Sequence, residues 1–486
     1  MKETIIQGIR WSFGGQVVGT ALNFLINLIL IRLVAPDAFG VLAMIGVFAG
    51  FLGVIRSFGT GSSLIFSQKL GKTEINTLFW FNVGSSSVLA GLLIISTPAL
   101  TLFYREEGLG LITTFFAGQM ILEGASTVPL ALLSKEMRFD RLFLVKVVTL
   151  FLSGIAAIIV AWMGQELLAL LLRLLTTAGI TFFLSLWLVD WRPAAEFHWP
   201  CLKRHYHYGS FLTGSNFLNF LVRNIDDLLI GRYLGDQTLG YYNRAYAILL
   251  FPLGNFSRVI ARVLFPVFAS LQSEVQQISQ VYLRVSRTIA VITFPAMAFL
   301  LLTADLLVPL LFGETWLPMV PIVRVFAILG AAQSIGVLEG TIFQSLGETR
   351  IDFQLGLILK PMMIGMIILG LWRTNSAVGV ASYYTVASLI SIIAGSYVIT
   401  KLLGISFWQI VTNLFPAFSI TFFATLLTYL SLLWIETSSI FEEITVTLFL
   451  FWPLFLILIR IVFPGYWKEQ VGTIRTLLKV KPEGKR

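Results

Sequence analysis

Charge is what this chain of 486 residues lacks most: Asp, Glu, Lys and Arg make up 12% of it, against about 25% in a soluble domain. So few charges cannot cover a water-facing surface, and the mean hydropathy of +0.86 agrees. Cysteine is nearly missing, and the single Cys201 rules out an intrachain disulfide. The three histidines, His198, His205 and His207, share one polar stretch with Cys201. No apolar run therefore offers a histidine for proton relay, and the spacing matches no zinc pattern, so no metal is expected. No phosphate-cradling glycine loop, ATP motif or nucleophile–base pair is present. Polar stretches reach roughly two dozen residues, too short for a folded catalytic domain. These absences argue against an enzyme. The first apolar run is too long for a cleavable signal peptide and has no small-residue cleavage site. The net charge of +9 invites nucleic acid, yet no stretch resembles a DNA- or RNA-binding module.

What is present is apolar length. Runs of about 20 residues recur throughout, each long enough to cross a bilayer as a helix. Fourteen are expected: Gly8–Leu33, Ala38–Val54, Leu78–Leu102, Leu109–Leu133, Leu144–Met163, Leu167–Leu188, Tyr208–Tyr233, Gly240–Leu264, Val285–Leu311, Met319–Leu346, Phe353–Leu371, Ala377–Leu402, Trp408–Leu433 and Ile444–Phe463. The fold class is an all-α polytopic membrane protein.

Lysine and arginine set the orientation. One set of alternate loops holds Arg56, Lys69 and Lys72; Lys135, Arg138 and Arg141; Arg192, Lys203 and Arg204; and Arg258, Arg262 and Arg284. Arg475, Lys479, Lys481, Lys485 and Arg486 lie in the tail. Opposite loops are short and nearly bare. Both termini are therefore expected in the cytoplasm.

The chain also repeats itself. Arg32…Gly40 (RLVAPDAFG) lies over Arg232…Gly240 (RYLGDQTLG), an offset of 200 that also pairs Asn23 with Arg223 and Asn27 with Asp227. Leu122-Glu123-Gly124 recurs as Leu338-Glu339-Gly340, and Arg138-Phe139-Asp140 as Arg350-Ile351-Asp352. Six spans separate the copies, so both share one orientation, a parallel repeat about an axis along the membrane normal. The expected organisation is an N-lobe over 1–190, a cytoplasmic linker over 191–207 and a C-lobe over 208–402. Two extra helices over 403–464 and a basic tail over 465–486 complete it.

Charged side chains in spans are costly and mark pathways. Arg223 and Asp227, four apart on one helix face, can pair; Asn23 and Asn27 form the matching polar pair on span one. Asp226 adds a second carboxylate there. Arg32, Arg173, Arg232, Arg244 and Arg324 fall toward the outer side, while Glu123, Glu339 and Lys360 lie nearer the middle or inner half. One interpretation is a cationic cavity between the lobes that attracts an anionic headgroup, arginine being suited to phosphate. Against it, Arg32, Arg232 and Arg244 can snorkel at helix ends, and Arg223 with Asp227 can be a bridge that only fixes packing. Glu123 and Glu339 fit proton or ion coupling and interhelical hydrogen bonding equally. Asp305, near the outer end of span nine, reads as interfacial. Gly15-x-x-x-Gly19 is a close-packing motif.

Several segments resemble the polysaccharide-exporting branch of the superfamily that also holds multidrug-extrusion and peptidoglycan-lipid flippases, in particular Wzx-type oligosaccharide flippases of the colanic acid exporter-like group. They are Asn224-Ile225-Asp226-Asp227 through Ile230-Gly231-Arg232, Leu239-Gly240-Tyr241-Tyr242-Asn243-Arg244-Ala245-Tyr246 with Pro252, and Arg262-Val263-Leu264-Phe265-Pro266. Leu311-Phe312-Gly313-Glu314-x-Trp316 and Ala35-Pro36-Asp37-Ala38-Phe39-Gly40 fit too. The resemblance covers about the first 400 residues. It implies fourteen helices in two lobes and movement of an undecaprenyl-diphosphate-linked oligosaccharide to the outer leaflet through a cationic cavity. A bacterial cytoplasmic membrane, and a polysaccharide polymerase and export machinery as partners, would follow. Asn23 and Asn27, neutral where the second copy is charged, make the expected cavity lopsided. No cofactor is expected; coupling to H+, Na+ or the membrane potential stays open. A cation-coupled multidrug or small-molecule antiporter of the same superfamily is the alternative, but a carboxylate-rich coupling site is expected there and arginines dominate here. A membrane glycosyltransferase or polymerase would carry a large outer loop, and a scaffold would not need a charge-lined interior.

Overall fold

The computed structural model describes residues 2–57, 60, 64, 71–201, 220, 223–252, 254, 257–272, 274–435 and 439–465. Among them every regular element is a helix. That follows from composition, because in hydrocarbon a backbone must satisfy its own hydrogen bonds. The chain forms two compact units, Met1–Asn243 and Arg244–Arg486.

The first unit contains α1 (Lys2–Leu33), α2 (Pro36–Ser57), α3 (Lys72–Ile95), α4 (Thr97–Tyr104), α5 (Leu109–Lys135), α6 (Phe139–Trp162) and α7 (Glu166–Leu188). A helical stretch at 223–234 follows, and then the start of α8 (Asp236–Pro252). Helix α6 packs against α1 and α7, and α5 against α3 and α7. Small residues bring these helices together. A Cβ on Gly154 of α6 would stand 2.3 Å from Ile26 Cδ1 of α1, and one on Gly124 of α5 would stand 2.0 Å from Ser86 Oγ of α3. Leu78, Phe79, Val128 and Leu133 are buried together in a core cluster of this unit.

The second unit continues through α9 (Arg258–Ser270), α10 (Val275–Phe312), a 3-10 turn (Glu314–Met319), α11 (Val320–Ser345), α12 (Thr349–Thr374), α13 (Ala377–Leu403), α14 (Phe407–Leu432) and α15 (Ile440–Val462). Helix α10 packs on α11 and α14, α13 lies against α11 and α12, and α15 against α14. Phe268, Tyr282, Ile342 and Phe451 are buried in its core.

Among the described residues eleven helices are long and apolar enough to cross a membrane. Of the other expected spans, the first shows a described apolar run over Val18–Leu33. The seventh falls mostly outside the described residues, as do most of the basic linker (202–207) and the tail (466–486). The eighth, expected over Gly240–Leu264, corresponds to α8 and the first half of α9, with Gly254 and Ser257 between them in π-helical backbone. The third, expected over Leu78–Leu102, breaks at Ser96 into α3 and α4. Pro98 in the first turn of α4 explains this: it supplies no N–H, and its ring collides with a carbonyl one turn back.

Several cations expected in loops stand on helices instead. Arg56 and Lys135 occupy the last turns of α2 and α5, and Arg284 sits well inside α10. At 38 residues α10 is about 57 Å long, far beyond the roughly 30 Å of hydrocarbon. The extra length of α10 is what puts Arg284 on a helix rather than in a loop.

Two positions related by the sequence repeat meet within the first unit. A Cβ on Gly40 of α2 would lie 1.8 Å from the Asp236 carbonyl oxygen of α8, and one on Gly240 of α8 would lie 1.9 Å from the Pro36 carbonyl oxygen of α2. The starts of α2 and α8 thus cross backbone to backbone, each glycine facing the other copy.

Candidate functional site

One polar group within the helices of the first unit is built on α1. Gln16, Thr20, Asn23 and Asn27 follow a spacing of four, three and four residues, which at 100° per residue places them along one stripe. Asn27 Nδ2 bonds the Asn23 backbone carbonyl at 2.7 Å and its Oδ1 at 3.1 Å. That orients both amide oxygens toward α7, where the Arg173 guanidinium donates to Asn27 Oδ1 at 3.0 Å and to Asn23 Oδ1 at 2.9 Å. Both acceptors are neutral. They fix the guanidinium without themselves cancelling its positive charge.

The other arginines singled out in the sequence are held differently, whereas Arg287 of α10 likewise donates to a neutral amide oxygen, Asn413 Oδ1, at 2.8 Å. Arg56 donates to Glu123 Oε2 at 2.8 Å and to the Met120 carbonyl at 3.1 Å, while Gln119 Nε2 bonds Glu123 Oε1 at 2.7 Å. Glu123 therefore neutralises a cation at the end of α2. Arg324 pairs with Asp305 at 3.1 Å, which gives Asp305 a defined partner between α10 and α11. Arg232 lies over the Phe103 and Tyr233 rings at 5.7 and 5.4 Å, a cation–π seat. Arg32 is exposed in the last turn of α1, and Arg244 is half-buried on α8. The Lys360 stem folds along its own helix, its Nζ 3.5 Å from where a Gly356 Cβ would stand.

Around the helical stretch 223–234, Asp226 is buried and accepts from Tyr242 Oη at 2.7 Å. Asp227 accepts from Asn243 Nδ2 at 3.5 Å, and Arg223 is exposed. Gly231 permits this packing, since its Cβ would stand 3.0 Å from the Tyr104 ring and 3.2 Å from Met44 Cγ. Nearby, in the α4–α5 turn, the Glu106 carboxyl is raised above its ordinary range, first by burial and then by the carboxylates of Asp236, Glu107 and Asp37.

In the second unit Glu339 of α11 accepts from Ser396 Oγ of α13 at 2.8 Å. Gly395 makes the space: a Cβ there would stand 2.1 Å from Glu339 Oε2. The repeat-related carboxylates Glu123 and Glu339 thus differ in partner, an arginine for one and a hydroxyl for the other.

Sequence reasoning did not single out Lys146, whose Nζ donates to Gln16 Oε1 at 3.0 Å. The expected span began at Leu144, which put this lysine at a helix end. The observed α6 begins at Phe139, so Lys146 stands two turns inside. The first unit also carries an open apolar surface groove of about 620 Å³ along α5, α6 and α7, lined by Leu122, Leu152, Ile180, Phe183 and Trp187 among others.

A family model described as "Polysaccharide biosynthesis protein" matches residues 29–321, more than half of the chain. The chain belongs to that family. Teichuronic acid biosynthesis protein TuaB of Bacillus subtilis (strain 168) is 27% identical over 376 residues, covering 76% of this chain and 77% of that protein. Lipopolysaccharide biosynthesis protein WzxC of Escherichia coli (strain K12) is 24% identical over 422 residues, covering 86% and 85%. Among solved structures, the lipid II flippase MurJ in an inward closed conformation superposes with a TM-score of 0.72 at 13% identity, covering 95% of this chain and 99% of that one. At that identity the likeness concerns the fold alone, a multi-pass helical membrane architecture.

Proposed function

We propose that this chain is a flippase for polysaccharide precursors, carrying an undecaprenyl-diphosphate-linked oligosaccharide from the cytoplasmic to the outer leaflet of the bacterial inner membrane. It acts as a transporter and not as an enzyme. The observation that carries the proposal is Arg173, a cation inside a span held by the neutral oxygens of Asn23 and Asn27. Such a group attracts a phosphate rather than serving a structural ion pair. The names of the relatives, drawn from teichuronic acid and lipopolysaccharide biosynthesis, and of the lipid II flippase fit the same substrate class.

In this account both termini are cytoplasmic, and the repeat-related lobes, 1–190 and 208–402, rock to expose the site alternately. The polymerase and export machinery of the same polysaccharide receive the product. Coupling to H+, Na+ or the membrane potential drives the cycle, with Glu339 as the candidate carboxylate, being held by a hydroxyl where Glu123 is held by an arginine.

Lipid extracts from cells lacking the protein test this. Complete lipid-diphosphate-linked repeat units should accumulate, disappear on complementation with the wild type and persist on complementation with Arg173→Ala. An extract free of such intermediates, from cells with an active upstream pathway, would refute the proposal.

A further inference from the structure

The stripe on α1 carries a second cation. At Gln16, seven residues before Asn23, the acceptor is Gln16 Oε1 and the donor is the Lys146 ammonium of α6. Gly19 seats the lysine stem, since a Cβ on it would stand 2.7 Å from Lys146 Cε. The close-packing glycine of the sequence motif therefore accommodates a charged side chain and not an apolar helix face. Lys146 and Arg173 share three properties. Each comes from a helix neighbouring α1 in the unit, each bonds an amide oxygen of one stripe, and among the described residues each has only neutral side-chain partners.

Their depths are complementary. Lys146 stands seven residues from the start of α6, and Arg173 seven residues from the start of the antiparallel α7, so each is about 10 Å in from opposite ends. Along α1, Gln16 lies seven to eleven residues from Asn23 and Asn27, which is about 10–17 Å. The hydrocarbon core is about 30 Å thick. Two stations at these depths divide it into three short intervals. Gln16 and Asn23 are exposed, and polar and charged groups within spans as a rule face the bundle interior or a water-filled cavity.

We infer that Lys146 with Gln16 and Arg173 with Asn23 and Asn27 form a two-station ladder on which the phosphate group of a lipid-linked anion rests in turn as it crosses. This rests on the flippase proposal and adds the inner station. A charged phosphate carried through a low-dielectric layer meets a steep barrier, and a fixed cation at each third lowers it in steps. Neutral amide partners suit this role, because a carboxylate partner would cancel the attraction.

The test uses the purified full-length protein in detergent, with farnesyl diphosphate as probe and farnesol as the uncharged control, read by tryptophan fluorescence. Lys146→Met should weaken farnesyl diphosphate binding about tenfold or more, the size of a lost charge-assisted contact, and leave farnesol binding unchanged. Lys146→Arg should restore most of the loss. Gly19→Ala, which moves the ammonium without removing it, should give an intermediate loss with a thermal midpoint close to that of the wild type. Wild-type binding of farnesyl diphosphate that Lys146→Met leaves unaltered would overturn the inner station while sparing the flippase proposal. A wild-type protein that does not distinguish farnesyl diphosphate from farnesol would overturn both.

Discussion

At the scale of single residues, the same repeat position is used in two ways. Glu123 closes an ion pair with Arg56 at 2.8 Å; Glu339 bonds Ser396 and needs the missing side chain of Gly395. Gly395→Ala should therefore push the Glu339 carboxylate off Ser396 and cost about 1–3 kcal/mol in unfolding stability, the usual penalty of overfilling a packed site. Much of that loss should vanish in a Glu339→Ala background, since neighbouring substitutions couple; additive losses in the double mutant would contradict the contact. Much of this scale was visible in the sequence. Arg173, Asn23 and Asn27 stood out as polar residues in spans, yet nothing in sequence spacing says that residues 146 to 150 positions apart bond to one another. Lys146 escaped notice for a related reason: its depth depends on where α6 begins, and Phe139–Asp140–Arg141 reads as loop until the helix is seen to start there.

At the scale of elements, hydropathy located the helices and short-range chemistry shifted their ends. Pro98 divides the third span, and the cation-bearing termini of α2, α5 and α10 extend beyond the apolar runs. The repeat RLVAPDAFG/RYLGDQTLG was legible as a repeat, but not as a contact between its own copies. Gly40 and Gly240 each face a backbone carbonyl at under 2 Å from where a Cβ would stand, and backbone cannot rotate aside as a side chain can. Gly240→Ala should separate the starts of α2 and α8 and lower stability by roughly 2 kcal/mol. Thermal unfolding in detergent reads this directly, and an unchanged midpoint would show that the helices do not cross so closely. Gly84, beside which a Cβ would meet nothing within 4 Å, is the matched control, expected to tolerate alanine.

At the scale of the whole molecule, fold class was the most legible property, because a chain with 12% charge and recurrent apolar runs has few solutions other than a helical bundle in a bilayer. Internal duplication and the family segments narrowed this to a lobed exporter, and the match over residues 29–321 fixes the family. The proposed substrate contacts are less legible, because the polar side chains on α1, α6 and α7 meet only through tertiary packing. The most direct measurement reconstitutes the purified protein in liposomes holding an undecaprenyl-diphosphate-linked oligosaccharide and follows its exposure to a membrane-impermeant lectin. The account predicts rapid equilibration between leaflets with the wild type and a rate reduced at least tenfold with Arg173→Ala. A wild-type rate equal to that of protein-free liposomes would contradict it.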